Sequence, residues 1–217
     1  KMDRPEDVEV NPTNRRVYMA CTNNTNRAAP GRPGTDAANP RATNYNGHII
    51  EIAETGNNHA GVTFRWDIFL LCGDPADPTT YFAGFPKDQV AAGMSSPDNV
   101  AFDTRGNLWI ATDGQISRDA FRGPGMEPQP ATDSIYGVPT AGPFRGQVKR
   151  LVNGVPGGEI AALEFTPDNR TLFLSIQHPG EGGTVADPIS HFPDGGNLIA
   201  RPTVIAVRRQ DGGLIGA

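Results

Sequence analysis

Ser96-Pro97-Asp98-Asn99-Val100-Ala101-Phe102-Asp103-Thr104-Arg105-Gly106-Asn107-Leu108-Trp109-Ile110-Ala111-Thr112-Asp113 reads as a β-hairpin: an apolar triplet, a polar turn, a second apolar triplet. The same pattern occurs at Arg4 to Thr22 and at Gly158 to Gln177. Aligning Val10, Phe102 and Phe165 brings Val17-Tyr18-Met19, Leu108-Trp109-Ile110 and Leu172-Phe173-Leu174 into register. The turns share a chemistry: Asn11-Pro12-Thr13-Asn14, Asp103-Thr104-Arg105-Gly106-Asn107 and Thr166-Pro167-Asp168-Asn169. A hairpin repeated in this way marks a radial array in which each unit buries its face only against its neighbours. The expected fold is all-β, a β-propeller.

Working outward, each hairpin gains further strands. The first blade takes residues 7–10, 16–21, 47–53 and 64–71; the second 99–103, 107–112 and 146–152; the third 160–166, 171–177 and 203–209. The expected domain is one partial propeller over 1–217, with blades at about 1–72, 96–152 and 157–209. Long connections rich in Gly, Pro, Asn and Asp fill 23–46, 73–97, 114–145 and 178–202, and connections of such length ordinarily carry function or are disordered insertions. Propellers close with about four to eight blades. Three open blades expose two strand edges and a bare inner face, so an upstream half, a companion fragment or a second copy is expected to close the ring.

The composition suits short strands and many turns, since Gly and Pro make up about a fifth of the 217 residues. A net charge of −5 speaks against nucleic acid as a partner, because phosphate backbones require clustered Lys and Arg. No apolar run approaches the roughly 18 residues of a membrane span. The opening Lys1-Met2-Asp3-Arg4-Pro5-Glu6 lacks the apolar core of a signal peptide, so any targeting segment is expected upstream. Two cysteines, Cys21 and Cys72, do not fix the redox compartment, and free buried thiols are the default reading.

In a propeller the innermost strands converge on a central channel. Glu6 and Asp98 each lie four residues before the aligned apolar position, and Glu159 lies six before it. A lone acid beside a turn is ordinarily a solvated cap, but acids recurring in register form a ring of hard oxygen ligands suited to Ca²⁺ or a similar ion. Past the second strands come Thr22-Asn23-Asn24, Thr112-Asp113-Gly114 and Gln177-His178-Pro179-Gly180-Glu181. Asp113 is the ligand candidate there, and His178 reads equally as a ligand or a turn cap. Arg4 and Arg41 read either as bidentate anchors for an anionic group or as surface ion pairs. No Gly-x-Ser-x-Gly elbow, phosphate-cradling Gly-rich loop or His-Glu-x-x-His helix occurs, which leaves metal-assisted chemistry.

The ordered set Met2-Asp3-Arg4-Pro5-Glu6, Thr22-Asn23-Asn24, Asn39-Pro40-Arg41, Gly47-His48-Ile49-Ile50, Trp66-Asp67 with Gly73-Asp74-Pro75, Pro97-Asp98-Asn99 through Asp113-Gly114, and Phe165-Thr166-Pro167-Asp168 through Gln177-His178-Pro179-Gly180-Glu181 resembles the C-terminal half of PhoX-type alkaline phosphatases. The resemblance implies a six-bladed propeller, periplasmic or extracellular, that hydrolyses phosphate esters with calcium and iron. It implies that Arg4 contacts the phosphate, that Glu6 bridges metals, and that Asp98, Asp113 and Glu159 are metal ligands. Asn23, Asn24, Arg41 and His178 are its substrate-binding candidates. The family's upstream Thr-Pro-Trp stretch and its Cys-Glu-Glu iron ligand have no counterpart, so the iron site is expected to be incomplete within this chain. Two other readings stand beside this one: a propeller scaffold with an incomplete metal site, and a calcium-dependent lactonase-like hydrolase sharing the Pro-Asp-Asn pattern.

Overall fold

The computed structural model of the chain describes residues 1–114 and 132–216. Twelve strands form three antiparallel sheets among these residues. The first sheet orders β1 (Pro5–Val10), β2 (Val17–Cys21), β3 (His48–Glu54), β4 (Phe64–Leu71) and the two-residue β5 (Tyr81–Phe82). The second orders β6 (Pro97–Phe102), β7 (Leu108–Thr112), β8 (Ser134–Val138) and β9 (Lys149–Asn153). The third orders β10 (Glu159–Phe165), β11 (Leu172–Gln177) and β12 (Thr203–Val207). Contacts between sheets run chiefly through β1 against β6 and β6 against β10, the innermost strands of a radial array.

Two cores follow. Tyr18, Ile49, Phe69, Leu108, Ile110 and Tyr136 are fully or almost fully buried between the first and second sheets. The Tyr18 ring meets Phe69 and Phe102 edge-on at 5.2 and 5.3 Å. Between the second and third sheets, Trp109 lies on Phe165 with ring centroids 5.2 Å apart, among Ile160, Leu172, Leu174 and Ile176. The repeated apolar triplets are thus the adhesive between sheets.

The outward faces are only partly covered. Across the first sheet the row Val10, Val17, Ile52, Trp66 is apolar throughout, and Val8, Met19, Ile50, Ile68 forms a second such row beside it. Val8 is nevertheless 56% exposed and Val10 45%. On the third sheet Phe173 and Val204 are exposed in the same way. Such faces normally lie against another sheet.

The second sheet corrects the sequence reading. Ser134-Ile135-Tyr136-Gly137-Val138 had the punctuation of a loop, with Gly137 inside and Pro139 beyond, yet it forms β8 between β7 and β9. Gly137 is there for packing: a Cβ at that position would come within 3.1 Å of the Trp109 ring. β5 likewise emerges from the expected 73–97 connection. Of the expected 114–145 connection, residues 115–131 lie outside the described residues.

The turns lock to one another. The Asn11 side-chain amide donates to the Gly106 carbonyl at 3.0 Å and to Thr140 Oγ1 at 2.9 Å, while its oxygen accepts from the Thr13 and Asn14 amides. Asn169 Oδ1 accepts from the Thr104 amide, and Ile215 near the chain end donates to the Asn169 carbonyl at 2.9 Å. The turn chemistry read from the sequence therefore stitches successive sheets as well as closing each hairpin.

Candidate metal centre

Opposite the turns, where the inner strands begin, each inner strand carries one extra residue. β1 pairs Pro5 with Cys21 and then Val8 with Met19; β6 pairs Pro97 with Thr112 and then Val100 with Ile110; β10 has its irregularity between Ile160 and Ala162. Bulges bend a strand and re-aim a side chain. Glu6 and Asp98 sit within the first two. Just upstream, Arg4 (φ 44°) and Ser96 (φ 52°) occupy equivalent repeat positions in the left-handed region. Their carbonyls accept the amides of Thr22 and Asp113, each at 3.0 Å. Strained non-glycine residues of this kind persist where surrounding bonds over-determine them, often at functional sites.

Asp98, Asp113 just past β7, and Glu159 at the start of β10 bring one carboxylate oxygen each to within 4.8 Å of one another. Burial, together with the charges of Glu6, Asp113 and Glu159, pushes Asp98 up to about 7, against the pull of Arg4. Among the described residues no donor hydrogen-bonds to the Asp98 or Asp113 carboxylate. Two aspartates without such donors, gathered with Glu159, form a hard oxygen set of the kind that suits a divalent cation.

Glu159 is oriented by two neighbours. Gln177 Nε2 donates to its Oε2 at 2.7 Å, and His178 Nε2 lies 3.0 Å from the same oxygen. The other ring nitrogen of His178 faces Glu181 at 3.1 Å. Burial pulls the His178 pKa down, but the hydrogen bond to Glu159 and the charge of Glu181 outweigh it and leave the histidine above its ordinary value. Arg4 completes the rim. Its guanidinium donates to Glu6 Oε1 and to Asn23 Oδ1, each at 3.1 Å, and half of its side chain remains exposed.

Two candidates are used elsewhere. Asn24 donates to Asp3 Oδ1 at 2.8 Å and accepts from the Asn26 amide, so both ends of its side chain serve the loop. Arg41 donates to the Cys72 carbonyl at 2.7 Å and the Thr79 carbonyl at 3.1 Å. Both belong to a buried polar layer that the sequence reading missed, centred on Asp3 and Arg27, whose Nε lies 2.6 Å from Asp3 Oδ1. Asn44 links Asp3 to His48, and burial drives His48 down to about 4. The only signal in the sequence was the density of Asn and Asp in 23–46, which reads as any loop.

Cys21 and Cys72 are free and buried, and burial pushes both thiols up to about 12. A protonated thiol is a poor metal ligand. Among the described residues no helix is long and apolar enough to cross a membrane.

The family model of alkaline phosphatase PhoX matches residues 1–180. Among solved structures, Pseudomonas fluorescens PhoX in complex with vanadate, a transition state analogue, is 37% identical with a TM-score of 0.78; the match covers 100% of this chain and 35% of that one. XC5397, a gluconolactonase from Xanthomonas campestris, is 15% identical with a TM-score of 0.39, over 99% of this chain and 61% of its own. No curated protein matches.

Proposed function

The chain belongs to the alkaline phosphatase PhoX family, and from that premise we propose that it supplies one part of a metal-dependent phosphate-ester hydrolase site. The observation that carries the reading is the meeting of Asp98, Asp113 and Glu159 beside the Arg4 and Glu6 pair. A phosphatase must neutralise a phosphoryl group while its ester bond breaks, and this rim offers an exposed guanidinium next to a set of cation ligands.

The donor chemistry fits calcium. Asp98, Asp113 and Glu159 would hold it, with Glu6 as a further carboxylate nearby, and a bound cation there would neutralise the phosphoryl oxygens and lower the pKa of a coordinated water. The chain's own groups do the rest. Arg4, steadied by Glu6 and Asn23, binds phosphoryl oxygens bidentately. His178, hydrogen-bonded to Glu159, would hold a proton beside that carboxylate and could pass it to a departing alkoxide. Iron would require a ligand from outside this chain, since neither buried thiol suits it.

The ring is also part of the proposal. This chain spans 35% of the PhoX chain it matches, and its first and third sheets carry partly exposed apolar faces. Both observations support closure by further protein: an upstream half, a companion fragment or a second copy, in a six-bladed propeller of which these sheets are three blades. A periplasmic or extracellular setting follows the same family reading.

The test combines Glu6→Gln with Asp98→Asn in the ring-closed protein. Ca²⁺-dependent hydrolysis of p-nitrophenyl phosphate is expected to fall by about 10³-fold or more. Unchanged turnover would sink the catalytic assignment. Calcium and iron measured in the purified parent distinguish the enzyme from a propeller scaffold, for which calcium alone or no metal is expected.

A further inference from the structure

We propose that Asp133 is a positioning residue of the calcium site, holding the strand end that presents Asp113. The inference rests on the metal-binding reading above and adds to it a residue outside the ligand set.

Asp133 is 3% exposed and stands immediately before β8. Its carboxylate takes hydrogen bonds from both sequence neighbours of Asp113. Thr112 Oγ1 donates to Oδ1 at 2.8 Å, and the Gly114 amide donates to the same oxygen at 3.2 Å. The Ser134 amide in turn donates to Thr112 Oγ1 at 3.1 Å, so hydroxyl, carboxylate and strand start are linked to one another. The Asp133 carbonyl accepts the Gly154 amide at 2.6 Å, which ties the set to the end of β9. From the other side the Asp113 amide reaches the Ser96 carbonyl, two residues before Asp98.

Asp113 is therefore clamped between the strand that carries Asp98 and a buried carboxylate that does not itself enter the ligand set. The clamp also explains Gly114. Its φ is 118°, and a Cβ there would lie 3.2 Å from Ser96 Oγ. Groups that orient a metal ligand typically contribute about 10- to 100-fold in affinity. A carboxylate at position 133 can accept from hydroxyl and amide at once. An asparagine oxygen at that place can do the same, and an alanine cannot.

The test is calorimetric titration of the full chain with Ca²⁺, alongside thermal unfolding with and without the ion. Asp133→Ala is expected to weaken Ca²⁺ by about 10-fold or more, and Asp133→Asn to stay within about 3-fold of the parent. A purely structural Asp133 would lower the melting temperature equally with and without Ca²⁺ and leave affinity unchanged; that result overturns the proposal. If Asp133→Ala does not fold, Thr112→Val removes the shorter of the clamp's two bonds and is expected to weaken Ca²⁺ by several-fold; parental affinity in that variant overturns it equally. A parent chain that binds no Ca²⁺ overturns the metal reading itself, an outcome distinct from parental affinity in the variants.

Discussion

At the turn end of the hairpins, Asp103 Oδ1 accepts the Arg105 and Asn107 amides at 3.0 and 2.9 Å, its Oδ2 takes the Asn107 side chain at 2.8 Å, and Asn11 and Asn169 reach across to that same second turn. At the strand-entrance end of the same hairpins, Asp98 and Asp113 crowd together with Glu159, and among the described residues no hydrogen-bond donor serves either aspartate. Both ends carry acids and amides on one repeated frame. At one end each polar group is satisfied and the sheets are held together; at the other, like charges are gathered at a cost in stability. Such local violation is what a binding site requires, and its cost is offset elsewhere in the fold.

The contrast predicts that function and stability separate by end. Arg4→Ala should lower phosphate-ester hydrolysis in the ring-closed protein by about 10²- to 10³-fold. The melting temperature should stay within about 2 °C, because the side chain is half exposed and its pair with Glu6 lies at the surface. Steady-state assays and a thermal scan of the same preparation check both halves. A variant that melts early and keeps its specific activity would break the division. Asn11→Ala is the converse. It removes both bonds donated by the buried Asn11 amide, to the Gly106 carbonyl and Thr140 Oγ1, and the oxygen that accepts the Thr13 and Asn14 amides, while Thr140 Oγ1 still donates to the Gly106 carbonyl at 2.7 Å. The expected loss is about 2–3 kcal/mol, or roughly 5–10 °C in melting temperature, with Ca²⁺ affinity unchanged.

How much of this was legible follows the same line. The turns and apolar triplets are local patterns, so the hairpins and their register could be read directly, and with them the shared positions of Glu6 and Asp98. The bulges that aim those acids could not, since an extra residue between Pro5 and Val8 exists only relative to Cys21 and Met19. β8 was hidden because Gly137 signals a break in one dimension and a close approach to Trp109 in three. Asn24 and Arg41 were read as substrate groups because a side chain in a long loop takes its destination from the loop's fold. Here that fold is set by the buried Asp3 and Arg27 pair, which no spacing announces. Asp133 was invisible for the same reason, as one more acid in a loop until Thr112 and Gly114 were seen to point at it.

The smallest effect bears most directly on the cost of the acidic end. Asp98 titrates at about 7 in the folded chain, above the roughly 4 of an unfolded aspartate. Between those values the folded state keeps a proton that the unfolded state has released. Stability of the Ca²⁺-free chain should therefore be highest below about pH 4 as far as this group is concerned, fall as pH rises toward 7, and level off above it. Solvent screening holds the contribution to on the order of 1 kcal/mol. Asp98→Asn carries no such charge, so it should match the parent near pH 4 and exceed it by that amount at pH 8. Added Ca²⁺ should invert the order at pH 8, stabilising the parent alone, because the ion compensates the charges whose repulsion the substitution removes. Urea unfolding of both chains at the two pH values, with chelator and with Ca²⁺, measures the difference directly. If the variant is no more stable than the parent at pH 8 in chelator, the acids are not under mutual repulsion, and the contrast between the two ends of the hairpins loses its energetic basis.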